Sequence, residues 1–565
     1  MKNNIYRSAL FLSIVLFSNT VFAQKLDSLS TQVINVNSSY NPTVEEAYRI
    51  PLQKDSLDAF SREKRTLNYG IKPIQVASTF NPQKGSIQPL AIFNPKRGFA
   101  NYIYSDYGMN SMPRVTTSLN FEKLSVYANY SGTRDGIPDV LSDVNSQNAE
   151  VEINFKEENR YRIWTADLNY RLNSQYWYGI LDRDLYTNYL DLLNENQMVH
   201  GVNGRLSYHK REAKISRVFV DLQTNFDSYQ TKELIAKTGL DFELNWDKLR
   251  FVVPFRLDYQ NTQFEEFYPN NAALGGDNNY EFINAASGVS LDWTPSDQTY
   301  IKIGALADYF KVRAPGESKF YFLPEFQAAL QVNETLSFST RLQSELNTNS
   351  FGALNKENPW ISPSLNLKPS YTPYDISITA NAVLFEMFDF SVDVGYKNTK
   401  DQAVFTRNAL VSSPEFSYQL GNSFTVVYDE VQTTYFKVNF SGNVSEQIDF
   451  DFKLMYQNFE TTNLTNLYNE PALKTSLDLA YDFDQKWSAN LMLFAATESE
   501  DVYLGTTLIN EAFVDLNLKG SYQLNKKMRF SLKFNNLLNQ NYSEFSGYQV
   551  QGFQVLGGFS YLFNL

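Results

Sequence analysis

This sequence predicts an all-β chain: a transmembrane antiparallel β-barrel of about 22 strands behind a short irregular N-terminal segment. Three observations lead there. From Arg97 onward apolar and polar residues alternate with period two, the mark of strands with one greasy and one wet face. Aromatics make up 15% of the 565 residues, with 37 Tyr and 43 Phe, yet mean hydropathy stays polar at −0.38. Strands that meet lipid outside and water inside produce that combination. Finally, short turns alternate with longer polar loops, as in a barrel whose two chain ends lie on the same side of a membrane.

The chain opens with Lys2 and Arg7, then an apolar run from Ala9 to Phe17, then Val21-Phe22-Ala23. That order reads as a cleaved export signal, residues 1–23, because the run is too short to cross about 30 Å of hydrocarbon. Residues 24–96 hold Pro42, Pro51, Pro73, Pro82, Pro89 and Pro95, with a short amphipathic helix expected around Ser56–Lys64. Proline at that density breaks periodic structure, so the segment reads as extended chain in the lumen or along the periplasmic rim.

The barrel is expected over 97–565. Short turns are expected at Glu122-Lys123, Lys156–Arg160, His209–Ile215, Asp247-Lys248 and Thr294–Gln298. Five more are expected at Asn333–Thr335, Phe385–Met387, Ser445–Gln447, Asp484–Lys486 and Asn525–Lys527. A first strand at Arg97–Tyr107 and a closing strand at Gly552–Asn564 complete the tally. In the strand after Ser445–Gln447, Ile448, Phe450, Phe452, Leu454 and Tyr456 share one face, opposite Asp449, Asp451 and Lys453. With Lys474, Asp478, Asp482, Asp515 and Lys519, these charges are assigned to the wet bore. The long loops are expected at Leu172–His200, Asn347–Thr372 and Lys397–Val431. Trp360 and several prolines make the middle one a stiff lid.

The last stretch, Met528–Leu565, carries the most specific signal. Met528, Phe530, Leu532 and Phe534 alternate with Arg529, Ser531, Lys533 and Asn535; a polar loop follows, and a final strand ends near Phe563. The residues Asn536, Leu537, Leu538, Asn539, Tyr542, Gly547, Tyr548, Gly552 and Phe563 resemble the barrel-closing hairpin of the TonB-dependent receptors of outer membranes. The match departs at Phe553, where the family usually has Arg, and at the trailing Asn564-Leu565. The resemblance implies a 22-stranded barrel in the cell outer membrane. It also implies outer-membrane lipids, the barrel-assembly machinery and TonB or other periplasmic or outer-membrane proteins as partners. Thr31, Val33, Ile34 and Val36 echo the extended TonB box of that family. Residues 24–96 are too few for the family's folded plug, so the resemblance is to a plugless barrel of the Bacteroidetes type.

Much chemistry is set aside. No cysteine is present, so no thiolate site or disulfide frame exists, and His200 and His209 are the only imidazoles. No nucleophile and base can be assembled from these, no cofactor or metal motif stands out, and the chain reads as a non-enzyme. Asp182-Arg183-Asp184 and Gly275–Asn279 were weighed as Ca²⁺ loops but lack the regular oxygen spacing. A net charge of −13 argues against nucleic acid. An open bore of this size would breach a membrane, so residues 24–96, inward loops or a separate partner must block it. Two readings remain: a solute-uptake barrel, or a non-transporting structural subunit of an outer-membrane complex.

Overall fold

The computed structural model describes residues 101–563, apart from 138–139, 142–143, 182–188, 267, 269–278 and 314–315. The expected export signal at 1–23, the segment 24–96 and residues 97–100 of the expected first strand lie outside the described residues. Twenty-two strands form one antiparallel sheet that closes on itself. Its first strand, Asn101–Gly108, pairs on one edge with Arg114–Asn120 and on the other with the last strand, Gln554–Phe563.

All ten expected short turns are found, and a shared local chemistry builds several of them. An Asp or Asn at the first turn position accepts hydrogen bonds from backbone N–H groups two and three residues on, which closes the turn without help from the strands. Asp484 accepts from Lys486 (2.7 Å) and Trp487 (2.8 Å), and Asn525 accepts from Lys527 (2.9 Å) and Met528 (3.0 Å). Those N–H groups hold the Asp484 carboxyl below the usual carboxylate range. Exposed aromatics sit beside the same turns: Tyr161, Trp246, Trp293, Phe385, Phe483 and Trp487. They form the amphipathic belt that marks the edge of an apolar outer band.

The register places the expected charges on the bore side. Asp449, Asp451 and Lys453 lie opposite Asn443, Ser441 and Asn439 on one neighbouring strand, and opposite Ala480, Asp478 and Ser476 on the other. The seam is braced from the bore as well as by its ladders. Asp106, on the first strand, is 2% exposed and accepts from Tyr104 Oη (2.6 Å) and Lys533 Nζ (2.6 Å). Lys533 belongs to Met528–Asn535, one strand beyond the last, so this ion pair reaches across Gln554–Phe563.

Two loop boundaries expected from the sequence are corrected. The strands flanking the third long loop run on through Phe388–Arg407 and Phe424–Ser445, leaving only 408–423 as loop instead of Lys397–Val431. The first long loop likewise shrinks from Leu172–His200 to 177–195, because Arg162–Tyr176 and Asn196–Lys210 continue past it. Beyond the apolar band these strand ends pack against the loops through Val404, Phe405, Phe424, Val426 and Val431, so the alternation fades although the ladder continues. A bulge between Thr399 and Gln402, with Asp401 at φ 52°, adds a break in period.

Replacing Lys533 by Met leaves the buried Asp106 carboxylate with only the more distant Arg114, 3.9 Å away, as a cation. Barrel stability against urea in vesicles should fall by roughly 3 kcal/mol, read as a lower midpoint for the loss of heat-resistant gel mobility. An unchanged midpoint would remove this pair as a brace.

Candidate functional site

The largest fully buried side chains are not spread along the wall. Trp177, Tyr418, Tyr548, Phe351, Phe424, Ile361, Leu365 and Leu420 all lie in loops, or at strand ends, at the end away from the short turns. Five connections contribute: 177–195, the loop after Leu249–Gln263, 348–369, 408–423 and 536–553. They spring from well-separated places around the wall, so contacts among them have to cross the bore. Trp177 Nε1 donates to the carbonyl of Trp360 (3.2 Å), and Trp360 stacks on Tyr548 with ring centroids 4.1 Å apart. Asn422 Nδ2 donates to the carbonyl of Trp177 (2.6 Å). The mouth of the barrel is therefore spanned by a dry cap built from its own loops. Burial of each such aromatic contributes roughly 2–3 kcal/mol.

Three buried polar groups fasten the cap. Glu233, on Lys232–Trp246, accepts from the backbone N–H groups of Phe351 (2.7 Å) and Gly352 (2.9 Å) at the start of the short helix Phe351–Glu357. Asn225 Nδ2 (2.7 Å) and Thr262 Oγ1 (2.8 Å) complete its shell. A wall carboxylate thus satisfies the first N–H groups of an inward helix, which Ser350 caps in the ordinary way from Ala353 N (3.2 Å). Arg407 donates to the carbonyls of Gly179 (2.7 Å), Gly421 (2.8 Å) and Ser546, joining three loops through one guanidinium. Gly547, at φ +77°, lies so close that an added Cβ would stand 2.5 Å from an Arg407 nitrogen. Asp429 accepts from Asn463 N, Asn463 Nδ2 and Leu464 N, each at 2.8 Å, and so ties the loop at 462–472 to the wall.

Beside the cap lies a cavity of about 260 Å³, where the end of the helix meets the hairpin Ser499–Tyr503/Thr506–Asn510 and the last loop. Phe405, Phe494, Phe513 and Phe545 give it apolar walls; Glu357, Glu470, Lys474, Asn469 and Asn510 give it polar ones. Lys474 pairs with Glu470 at 2.9 Å. Such a chamber lies just below the usual range for ligand sites and suits a small solute offering both an apolar face and hydrogen-bonding groups.

The residues of the terminal motif are brought together in the cap's last loop. Asn536 (φ 46°) donates to the carbonyls of Gln540 (2.9 Å) and Gln551 (3.1 Å), and Leu537 N donates to Leu516 O (2.8 Å). Asn539 Oδ1 accepts from Phe553 N (2.8 Å), and Leu538 is exposed. Tyr542 stacks on Phe513 at 3.8 Å and donates to Asp515 (3.0 Å); Gly552 N donates to Gly136 O (3.3 Å). Tyr548 is the Trp360 partner, and Phe563 pairs with Asn101 at the seam. Trp360 of the expected lid is central to the cap. Thr31, Val33, Ile34, Val36, Asp182–Asp184 and Gly275–Asp277 lie outside the described residues. Glu233, Arg407 and Trp177 went unread in the sequence, because a single polar or aromatic residue at a strand end carries no local signal of a partner across the bore.

Comparison with solved structures bears on the fold. The iron transporter FrpB of Neisseria meningitidis aligns with TM-score 0.61 at 10% identity, covering 82% of this chain and 81% of that one. The siderophore receptor PirA of Acinetobacter baumannii aligns with TM-score 0.60 at 11% identity, covering 82% and 80%. The ferric-catecholate import receptor Fiu of E. coli K12 aligns with TM-score 0.57 at 11% identity, covering 83% and 82%. No family model and no curated protein sequence matches the chain. At such identities the likeness is one of fold: the chain has the 22-stranded barrel of TonB-dependent receptors.

Replacing Glu233 by Ala orphans two helix N–H groups at a cost of about 3 kcal/mol. Hydrogen exchange should then accelerate selectively in 348–369 while the strand ladders stay protected. The cap should also respond to pH. Asp501, fully buried beside Ser546, has its carboxyl pushed up by burial, and Glu266 is raised by burial and by its acidic neighbours. A carboxyl raised above its unfolded value of about 4 stabilises the fold below that pH and loses the contribution as pH rises through the folded value. Cap amides, after correction for intrinsic rates, should therefore be better protected at pH 5 than at pH 8. Asp501→Asn should flatten that difference.

Proposed function

We propose that this chain is an outer-membrane uptake barrel of the TonB-dependent-receptor kind, without a full plug, whose bore is closed by its own surface loops. The export signal and the aromatic-belted apolar outer face support placement in the outer membrane. The observation that carries the functional reading is the dry cap over a charged bore, with a small mixed apolar and polar cavity beside it. A sealed mouth fastened by a few buried polar groups suits a gate better than a permanently open pore. The fold neighbours bear names of iron, siderophore and copper transporters and receptors, which fits uptake of a solute at the cell surface. Residues 24–96 would lie on the periplasmic side, with 31–36 as the segment offered to TonB. The chain is read as a non-enzyme that needs no cofactor.

Planar-bilayer conductance tests this reading. The purified barrel should conduct weakly, and replacing 350–367 by a short Gly-Ser linker should raise conductance several-fold. Deleting 24–96 should raise it further, whereas an unchanged trace would remove that segment as part of the gate. A barrel that stays silent after both changes and co-purifies with other envelope proteins would favour the structural-subunit reading.

A further inference from the structure

The wall is not equally closed all the way round. Thr299–Val312 and Ser318–Gln331 pair along their full shared length, from Thr299↔Leu330 to Lys311↔Ser318. On its other edge, Ser318–Gln331 pairs with Leu336–Asn347 only from Gln331↔Ser337 up to Glu325↔Gln343. Among the described residues no pairing joins Ser318–Pro324 to Ser344–Asn347. Two features of the sequence end the ladder there. Pro324 has no N–H to donate. One strand further on, Ser370–Leu384 carries an extra residue at Pro373-Tyr374 opposite Ser344, a bulge that breaks the register beside the split, and Ser344 Oγ donates to Thr372 O (2.8 Å). The pair Phe513–Gln523/Met528–Asn535 is also short, but Leu537 N–Leu516 O and Val514 N–Gln540 Oε1 continue it.

The split lies inside the apolar band, not above it. Leu330, Ala328 and Phe326 run up the outer face to Phe322 and Phe320, which are 63% and 79% exposed, and Phe320 meets Tyr309 at 5.0 Å. Free strand edges are costly in hydrocarbon, at several kcal/mol per unpaired group. The inner side carries apolar side chains as well, beside the acids Asp308 and Glu325. Leu323, Phe310 and Phe282 are buried there, and the last two belong to the cap's core, with Tyr321 and Leu346 packed against it. Charges such as Asp449, Asp451 and Lys453 line the bore nearer the short turns. The split is spanned from Ser370–Leu384, whose backbone comes close to Ser318–Gln331: Tyr371 donates through Oη to Phe322 O (2.9 Å) and packs on Tyr321 at 4.8 Å.

We propose that this split is a lateral opening between the bilayer and the apolar side of the cap, latched by Tyr371. Through it the hydrocarbon part of an amphiphile enters or leaves the barrel. Apolar surface lies on both sides of an unpaired stretch of wall, and only a ligand with a hydrocarbon portion gains from crossing it. The inference rests on the membrane placement proposed above.

The test uses the full chain with p-benzoylphenylalanine in place of Phe322, Leu323 or Asn203, in phosphatidylethanolamine/phosphatidylglycerol vesicles with tritiated acyl chains. Phe322 faces outward, Leu323 faces the inner side of the split, and Asn203 faces the charged bore. Irradiation should attach lipid at 322, and at 323 several-fold above the level at 203. Tyr371→Phe should at least double the yield at 323. Label at 322 with no more at 323 than at 203, in both backgrounds, overturns the lateral opening while leaving the membrane placement intact. Label at 323 that Tyr371→Phe leaves unchanged overturns the latch. Absence of label at 322 overturns the membrane placement and the proposal with it.

Discussion

The pairing of Asn101–Gly108 with Gln554–Phe563 is the contact on which the rest of the molecule depends. It joins the two ends of a sheet and removes both of its free edges, which in hydrocarbon would be prohibitive. It also fixes the bore. Twenty-two strands enclose a space too wide for wall side chains to fill, so closing the sheet creates a second problem inside it. The bore-side ion pair of Asp106 with Lys533 braces the same seam from within.

The loops solve that second problem, and they do so with unusual chemistry for a barrel. The wall is apolar outside and charged inside near the short turns, so the dry interior lies at the other end, where the loops meet apolar wall residues such as Phe282, Phe310 and Val426. Trp177, Trp360, Tyr418 and Tyr548 are central to that interior: Trp177 meets Tyr418 at a tilt, Trp360 stacks on Tyr548, and Tyr178 stands edge-on to both of the latter. Buried polar groups add to this apolar packing and fix where each loop attaches. Glu233 holds a helix start, Arg407 ties three loops by their carbonyls, and Asp429 ties a fourth. Buried polar fastenings of this kind are strong while complete and fail together when one partner is lost.

The same logic explains why the wall gives way in one place. A ladder persists where each N–H has a carbonyl opposite. Pro324 withdraws that match on one side of the split, and the extra residue at Pro373-Tyr374 shifts the register one strand beyond it, beside the apolar core of the cap. Elsewhere around the barrel, bulges such as the one between Thr399 and Gln402 interrupt the register without parting the strands.

Strand number, turn positions and the bore-facing charges were legible in the chain, because each rests on neighbours a few residues apart. Period two, an Asx residue at a turn and a greasy outer face are local properties. The terminal motif was legible as a barrel end, yet its deeper use was not: Tyr548 serves the cap through a ring more than 180 residues away. Loop boundaries blurred where the strand ends pack against the loops and the period-two pattern is lost. Tertiary structure alone decided which loops meet over the bore, that Arg407 and Glu233 hold them, and where the wall parts. Those outcomes depend on residues brought together by the circumference of a closed sheet, a distance that no stretch of sequence records.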